Sequence, residues 1–372
     1  MPAVAAPRVL FVGAFPPPGH PVFGGIVSSC RALLNSSLPR RLQLDLLDST
    51  QISNPPPPLF VRLVLAAVRC VRFVKRFERR RPEAVILFVS LGASILEKGA
   101  MAWYARLRGV PAMLFPRGGA IMEPCRKSVW TRLWVRSAFH GARVILCQSE
   151  TWQSFAVEVL DFPPQRTVVI RNWTASPALL AIGSRRVPRS EGPVRLLFVG
   201  WMERDKGVFE LLEACRRLQG DCRFTLDMAG EGRASGEFRE MRDRYALCDA
   251  VRLRGWLGES ALQSLLSECD VLVLPSWAEG LPNAMIEAMA AGLAVVVSAV
   301  GAVPDVITDG RSGLLVTPRD VDSLYRALSR IIKDIQLRQT LAAEAYKIAA
   351  RDFGVETAVD LLVAAVQRAV ED

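Results

Sequence analysis

The chain alternates short β-branched runs with longer amphipathic segments, and a break in composition divides this alternation into two series. Strands that alternate with helices indicate βαβ units, in which the strands pair in parallel. The break, at residues 176–194, is typical of a linker. The sequence therefore predicts two doubly wound α/β domains. The predicted strands are residues 8–13, 42–47, 83–89, 110–115, 143–147 and 167–170 in the first series, and 194–200, 223–230, 250–255, 270–276, 293–298 and 312–316 in the second.

The length of the chain agrees with two domains. At 372 residues it exceeds the size at which a single core usually keeps growing, and 51% of the residues are hydrophobic. We place the domains at residues 1–180 and 190–350. A helical segment at residues 354–372 follows, and we expect it to pack back on the first domain.

Composition excludes several kinds of site. The chain has two histidines, which excludes a multi-histidine metal site and argues against a Ser-His-Asp arrangement. We expect His20 to be a loop residue and His140 to stand at a helix end. The eight cysteines form no CxxC pair, which favours reduced thiols. No apolar run approaches the roughly 18 residues of a spanning helix and the N-terminus lacks signal-peptide features, so we expect a cytoplasmic protein.

The positive charge is concentrated in the first half. The net charge is +10, and residues 1–171 carry 23 Lys/Arg but 9 Asp/Glu. Residues 60–81 predict an amphipathic helix with arginines on one face, and residues 125–139 place tryptophans among basic side chains. This face is either solvated or binds an anionic partner. We favour an anionic membrane surface, where each cation contributes about 1 kcal/mol, over nucleic acid, for which no binding motif occurs. The predicted inward face of this helix is Leu63, Ala67, Cys70, Val71, Val74 and Phe77, and the predicted basic face is Arg62, Arg69, Arg72, Arg76, Arg79 and Arg80.

The segment EGLPNAMIEAMAAG, residues 279–292, combines a turn with a helix start. Pro282 and Gly292 predict a helix over residues 282–291, whose first N–H groups suit a phosphate. Glu279 precedes this helix and Glu287 lies within it. Taken alone, such a pair of glutamates favours an interpretation without a site, in which Glu279 interacts with the helix dipole and Glu287 is solvated.

Residues 275–316, PSWAEGLPNAMIEAMAAGLAVVVSAVGAVPDVITDGRSGLLV, strongly resemble the nucleotide-sugar site of the retaining GT-B glycosyltransferases of family 4, the group 1 glycosyl transferases. The resemblance continues at residues 196–214, 228–232 and 252–257. It implies an α/β GT-B fold with two Rossmann-like domains facing a cleft. It also implies a metal-independent, retaining transferase without a cofactor. Such an enzyme moves a sugar from a UDP- or GDP-sugar to a saccharide acceptor. We expect the acceptor to be lipid-linked and the reaction to belong to bacterial surface polysaccharide biosynthesis. We expect the protein to act at the inner face of the cytoplasmic membrane.

The resemblance also assigns residues to roles. Glu287 would bind the ribose hydroxyls, and Glu279 would hold hydroxyls of the transferred sugar. Lys206 would stabilise the departing diphosphate. Trp201 stands where the family has an arginine, so Arg204 is the candidate for a second positive charge. The remaining donor-binding residues are Gly200, Trp256 and the backbone of Gly280, Leu281, Pro282 and Asn283.

The resemblance is thinner in the first half. Gly24 and Gly25 follow the first predicted strand and open a helix, where they allow either close approach to a phosphate or acceptor, or simply a tight turn. Arg117 occupies the place where the family often has a histidine, and we expect it to contact a donor phosphate or an acidic acceptor.

Two other classes of protein share these features. A sugar-nucleotide epimerase of GT-B fold also binds a nucleoside diphosphate. A noncatalytic protein that binds anions or membranes would explain the basic first half and the missing arginine at position 201.

Overall fold

Each half of the chain folds around a parallel six-stranded sheet, which confirms the predicted fold class. The chain divides into two units, one formed by Met1–Trp173 with Val355–Asp372 and the other by Thr174–Gly354. All twelve predicted strands are present, with ends within two residues of the prediction. The computed structural model describes residues 6–16, 25–50, 58–90, 92–118, 121–187, 189 and 191–371.

The sheet of the first unit has the strand order β2-β1-β3-β4-β5-β6. Its central strand β3 is buried along its whole length, as expected for a strand covered on both faces. One hydrophobic cluster lies on each face of this sheet. The strands are β1 (Arg8–Gly13), β2 (Gln43–Asp48), β3 (Ala84–Val89), β4 (Ala112–Pro116), β5 (Val144–Cys147) and β6 (Thr167–Val169). The helices are α1 (Gly25–Leu34), α2 (Leu38–Arg41), α3 (Leu59–Arg80), α4 (Ala93–Leu107), α5 (Met122–Lys127), α6 (Val129–Phe139) and α7 (Glu150–Glu158).

The second unit repeats this architecture with one continuous hydrophobic cluster. Its strand order is β12-β11-β10-β7-β8-β9. The strands β8 and β9 are added on one side of β7, and β11 and β12 are added on the other side, beyond β10. The strands are β7 (Val194–Val199), β8 (Phe224–Ala229), β9 (Val251–Gly255), β10 (Val271–Leu274), β11 (Ala294–Ser298) and β12 (Leu314–Val316). The helices are α8 (Pro177–Ser184), α9 (Val208–Leu218), α10 (Ser235–Arg244), α11 (Glu259–Glu268), α12 (Asn283–Ala290), α13 (Val303–Val306), α14 (Val321–Lys333) and α15 (Ile335–Asp352).

The division between the units falls earlier than the sequence placed it. Residues 174–180, assigned to the first domain from the sequence, belong to the second unit. The reason is that the segment read as a linker contains α8, which packs against α12 and α15. Gly183 of α8 approaches Ala290 so closely that a Cβ at position 183 would overlap the Ala290 carbonyl oxygen.

The last helix, α16 (Val355–Glu371), belongs to the first unit. Its apolar side joins the hydrophobic cluster that also contains Leu33 and Leu38. Glu356 accepts a hydrogen bond from the Ser37 N–H at 3.1 Å, and Asp360 pairs with Arg41. The end of the chain therefore stabilises the first unit.

The burial of α3 differs from the prediction. Phe73 and Phe77 are buried against Tyr104 of α4, with ring centroids 6.2 and 5.4 Å apart respectively. Cys70 and Val74 are half-buried. The predicted inward residues Leu63, Ala67 and Val71 are instead exposed. Burial is concentrated in the C-terminal half of α3, whereas a helical wheel averages one face over the whole helix.

The predicted basic face of α3 is wrong at Arg69, which is half-buried, whereas Arg76 is exposed but paired. Arg69 Nε and Nη2 donate to the buried Glu97 carboxylate at 2.7 and 2.8 Å, and Lys98 Nζ lies 3.0 Å from the same group. Arg76 pairs with Asp45 at 2.9 Å. Because buried carboxylates need cationic partners, these arginines join elements of the first unit. Four exposed cations of α3 make no ion pair with another described residue: Arg72, Lys75, Arg79 and Arg80.

Candidate active site

The carboxyl ends of β7 and β10 form the topological switch point of the second sheet. Open parallel sheets bind ligands at such a point, because the loops after the two strands diverge and leave a crevice. The loop after β7 carries Lys206, and the loop after β10 carries Glu279. The topology therefore brings together two residues that are 73 positions apart in the chain.

Lys206 and Glu279 form an ion pair at this crevice. Lys206 Nζ donates to Glu279 Oε1 at 2.6 Å, and their side chains are 25% and 18% exposed. The Trp277 N–H donates to the Asp205 carbonyl at 2.8 Å, which ties the two loops together beside the pair. The two predicted catalytic residues are thus in direct contact.

Two glycines make this contact possible. Gly207 has φ = +69° and lies against Pro275, so a Cβ there would overlap the Pro275 carbonyl oxygen. Gly301 has φ = +57°, and a Cβ there would overlap the Glu279 carbonyl oxygen. Only glycine adopts positive φ readily and leaves this space. Gly207 therefore lets the Lys206 loop contact the loop after β10, and Gly301 lets the loop after β11 contact the Glu279 backbone.

The segment after Glu279 is built into the core. Gly280 accepts a hydrogen bond from the Ala302 N–H at 2.8 Å, and Leu281 and Pro282 are buried. Helix α12 begins at Asn283, one residue later than predicted. Leu281 and Asn283 each already have a polar or electrostatic contact within the protein. The role of this backbone in binding a phosphate stays a prediction.

Glu287 lies one turn into α12 and is half-buried. Its carboxylate makes no hydrogen bond or ion pair with the part of the chain that the structure describes. Burial, reinforced by the carboxylate of Glu259, raises the pKa of Glu287 from its ordinary value of 4.5 to about 7. A carboxylate in this state gains from any hydroxyl group that donates to it.

Position 201 is filled by an aromatic ring. Trp201 and Trp256 pack with ring centroids 4.7 Å apart and an interplanar angle of 43°. Gly200, which precedes Trp201, donates its N–H to the Ala229 carbonyl at 3.0 Å. The place where the family has a cation therefore carries an aromatic pair at the ends of β7 and β9.

Arg204, the candidate for the second positive charge, forms an ion pair with Glu237. Its Nη2 donates to both oxygens of Glu237 at 2.5 and 2.6 Å, and its guanidinium lies 4.8 Å from the Phe209 ring. Glu237 stands in the first turn of α10 and takes no part in the Lys206–Glu279 contact. In this structure Arg204 therefore has a carboxylate partner of its own, and its assistance to Lys206 stays a prediction.

In the first unit, Arg117 follows β4 and lies among three aromatic rings. Its guanidinium carbon is 4.8 Å from the rings of Phe115 and Trp173 and 5.6 Å from that of Phe88. Nη2 donates to Ser29 Oγ of α1 at 3.0 Å. Nη1 is buried and has no hydrogen-bond partner among the described residues, and burial lowers the pKa of Arg117 to about 10.

The other predicted residues of the first unit are only partly described. Gly25 is the first residue of α1, whereas Gly24 and His20 lie outside the described residues. His140 ends α6, as predicted, and its Nδ1 lies 2.9 Å from the Arg136 carbonyl oxygen. Within the described ranges, no group of three His, Cys, Asp or Glu side chains is placed to hold a metal ion.

Sequence reasoning missed the support of Glu279. Trp277 Nε1 donates to Glu210 of α9 at 2.9 Å, and the Arg319 guanidinium stacks 4.4 Å from the Trp277 ring. Ser276 is buried, and its hydroxyl has no partner among the described residues. A signal for this support was available in the sequence, because Trp277 stands two residues before Glu279. Its partners, Glu210 and Arg319, come from distant segments and were not predictable.

Two family models match the chain, one for each unit. The model described as "Glycosyl transferase 4-like domain" matches residues 29–173, and that described as "Glycosyl transferases group 1" matches residues 193–334. Together these matches span most of the chain.

Curated relatives match over part of their length. A glycogen synthase of Mycobacterium tuberculosis is 34% identical over 190 residues, which are 51% of this chain and 45% of the relative. The lipopolysaccharide core biosynthesis glycosyltransferase LpsE of Rhizobium meliloti is 27% identical over 60% of this chain and 64% of its own. The putative colanic acid biosynthesis glycosyltransferase WcaL of Salmonella typhimurium is 26% identical over 58% and 54%. The chain spans about half the length of the curated relatives it matches.

Solved structures match over nearly the whole chain. Sucrose-phosphate synthase of Thermosynechococcus elongatus has a TM-score of 0.77 at 18% identity, covering 97% of this chain and 98% of its own. Anabaena HepE in complex with UDP has a TM-score of 0.71 at 18% identity, covering 97% and 100%. The fold is GT-B, and with both family models matched in order, the chain belongs to the group 1 glycosyltransferases of the family 4 type.

Proposed function

We propose that this protein is a retaining glycosyltransferase that moves a sugar from a nucleotide-sugar to a saccharide acceptor in surface polysaccharide biosynthesis. The Lys206–Glu279 contact at the switch point, beside Glu287, is the observation that carries this proposal. The family and the relatives named for polysaccharide or lipopolysaccharide synthesis support it. The UDP bound in HepE supports a UDP-sugar as donor, with a GDP-sugar as the alternative.

The second unit would bind the donor. Ribose hydroxyls would donate to Glu287, which has no other partner among the described residues. The Trp201–Trp256 pair offers an aromatic surface to the nucleotide, and Gly200 allows close approach beside it. The backbone from Gly280 to Asn283 would lie against the diphosphate and the sugar.

Lys206 and Glu279 would separate when the donor binds. The diphosphate would take the Lys206 ammonium, and the released Glu279 carboxylate would accept hydrogen bonds from hydroxyls of the transferred sugar. During transfer the bond from the anomeric carbon to the phosphate oxygen breaks, and the bond to the acceptor oxygen forms on the same face. The departing phosphate oxygen takes the acceptor proton. Lys206 stabilises the charge that develops on this oxygen, without a metal ion or cofactor.

The first unit would bind the acceptor. A buried guanidinium is stabilised by an anion, and Arg117 has no carboxylate partner among the described residues. We therefore propose that Arg117 contacts a phosphate or carboxylate group of the acceptor, and that Gly25 allows the acceptor close to the start of α1.

The first unit also carries an exposed apolar surface, which we propose docks on an anionic membrane. It consists of residues near the starts of three helices, of which α4 contacts both α3 and α6. Phe60 is 75% exposed and Trp130 is 83% exposed. Helices that follow parallel strands begin at the carboxyl edge of the sheet, so this surface lies towards the same edge as Arg117. The surface comprises Phe60, Leu63, Val64, Leu96, Val129, Trp130 and Leu133.

Exposed cations accompany this apolar surface. Arg72, Lys75, Arg79 and Arg80 supply positive charge on α3, and anionic lipid headgroups attract such residues. Among the described residues, no helix combines the length and apolar character needed to cross a bilayer. The proposed association is therefore peripheral, and it would bring a lipid-linked acceptor to the first unit.

The transferase proposal predicts that Glu279→Gln lowers kcat by at least about 100-fold, the scale of one lost electrostatic contact in a transition state. Lys206→Met should have a similar effect. Nucleotide-sugar affinity of the Glu279→Gln variant should stay within a few-fold of wild type, because Glu287 and the aromatic pair remain. The measurement is a screen of UDP-, GDP- and ADP-sugars by calorimetry and slow donor hydrolysis, followed by transfer assays with the donor found.

Glu237→Gln is the matched control, because it removes a carboxylate that pairs with Arg204 and should leave transfer near wild type. Full activity of Glu279→Gln would overturn the site assignment. Inversion at C2 of the donor sugar without transfer would instead favour an epimerase.

The pKa of Glu287 predicts that donor affinity rises with pH. Ribose hydroxyls that donate to Glu287 stabilise its ionised form, so binding lowers the pKa from about 7 and releases a proton. The affinity should therefore increase between about pH 5 and about pH 7 and stay level above that. UDP-glucose is the suitable probe, because its diphosphate does not titrate in this range. The increase should disappear in Glu287→Gln, and an identical pH profile in both proteins would contradict the assignment.

The acceptor proposal predicts that Arg117→Gln raises the acceptor KM by about tenfold, while donor hydrolysis stays near wild type. The loss should be confined to acceptors that carry a phosphate or carboxylate. Arg117→Lys should restore part of it, since it keeps the charge. The comparison is kcat/KM for an anionic acceptor and for its neutral analogue, and an unchanged ratio in Arg117→Gln would exclude this role.

The membrane proposal predicts that Trp130→Ser combined with Arg72→Glu weakens sedimentation with phosphatidylglycerol vesicles by about tenfold or more, while UDP-glucose binding stays unchanged. Leu107→Ser is the matched control, because Leu107 is an exposed apolar residue at the far end of α4. Arg69 and Arg76 are unsuitable targets, since their ion pairs hold the fold. Equal sedimentation of the double variant would remove the proposal.

A further inference from the structure

The second unit contains a cavity on the opposite edge of the sheet from the Lys206–Glu279 contact. Asp270 immediately precedes β10, and Gly292 lies two residues before β11, so both stand at the amino ends of strands whose carboxyl ends form the switch point. The volume of about 370 Å³ lies within the range of small-molecule sites. The end of α8 and one side of α15 form the walls.

Positive charge dominates this cavity. Four cations line it, Arg186, Arg189, Arg338 and Lys347, against the single carboxylate of Asp270. Arg189 Nη2 pairs with Asp270 at 3.0 Å, and Lys347 pairs with Glu344 at 2.7 Å. The other two arginines, Arg186 and Arg338, form no ion pair of their own among the described residues, although Asp270 attracts both.

Arg186 and Arg338 are bound by neutral carbonyl groups. Arg186 donates to the carbonyls of Ala291 at 2.8 Å and Cys269 at 2.6 Å, and so caps the ends of α12 and α11. Arg338 donates to the carbonyl of Ile331 at 2.8 Å. Burial lowers the pKa of both arginines. Carbonyl dipoles orient these guanidinium groups but leave each with its full positive charge.

Arg189 has a donor without a partner. Its Nε is buried and makes no hydrogen bond among the described residues, although the same side chain lines the cavity. The remaining walls are small or aromatic, with Ala342, Ala343 and Tyr346 on one side of α15. The cavity is thus lined by guanidinium groups and by the apolar side of α15.

We propose that this cavity binds a phosphorylated small molecule. Planar guanidinium groups match the oxygens of a phosphate, and a single carboxylate, Asp270, serves three arginines, so a bound anion would balance the remaining positive charge. The apolar side of α15 would contact the carbon skeleton of the ligand. This site is distinct from the proposed donor site, because the strands β10 and β11 separate the two edges.

The test uses exposed residues that line the cavity, so that the fold is not disturbed. Gln339→Glu and Ala343→Glu each add a negative charge at the cavity wall without removing a hydrogen bond. Inorganic phosphate, glucose 6-phosphate and AMP serve as probes for the full chain, by calorimetry and thermal shift. We expect at least one probe to bind, and each variant to weaken it by about tenfold. Gln336→Glu, the same substitution on α15 outside the cavity, should leave the affinity within about twofold.

Saturation with UDP-glucose separates this site from the donor site. The probe should bind equally well in the presence of UDP-glucose. The Glu279→Gln variant should bind the probe with the same affinity as the wild type. Three results would overturn the proposal: no binding of any probe at millimolar concentration, equal affinity in Gln339→Glu, or complete competition by UDP-glucose.

Discussion

The contact between Lys206 and Glu279 is the interaction on which the candidate active site depends. It exists because β7 and β10 are neighbours in the sheet, although two strands and three α-helices lie between them in the chain. Gly207 allows the two loops to approach, and Trp277 joins them through its backbone and ring. Gly301, after β11, packs against the Glu279 backbone from the other side. The Glu279 carboxylate, which precedes the anion-binding start of α12, therefore has a compensating charge beside it. A cation neutralises it until a negatively charged ligand takes the cation away.

Three kinds of partner stabilise half-buried charges in this protein: an opposite charge, carbonyl groups and aromatic rings. Lys206 and Glu279 neutralise each other, Arg186 is held by carbonyl groups, and Arg117 is enclosed by aromatic rings. Glu287 has none of these partners, and its pKa rises accordingly. Burying a charge without a partner carries a large free-energy cost, so such groups mark the places where a ligand contributes most. Arg117 and Glu287 lie towards the carboxyl edges of their sheets, and Arg186 lies at the amino edge of the second sheet.

The fold was largely predictable, because buried parallel strands appear in sequence as short β-branched runs with a clear length. The errors occur where the outcome depended on neighbouring elements. Helix α8 was read as a linker because its helical signal is short, yet it covers α12. The wheel of α3 placed Leu63 and Val71 inside, since a wheel cannot show that the N-terminal half of the helix stays exposed. The pairing of Arg204 with Glu237 was likewise not visible in the sequence, because the two residues belong to different elements.

The sequence by itself determined the two series of strands, the Glu279 and Glu287 spacing, and the family to which they belong. These features are local, because each is set by side-chain type and by position relative to one strand or helix. Only the tertiary structure decided which charges meet, which tryptophans pack together, and which arginines remain available. Those outcomes depend on contacts between residues far apart in the chain, as Trp201 with Trp256 and Arg69 with Glu97 illustrate. Such pairings follow from strand order and helix packing, which no single segment encodes.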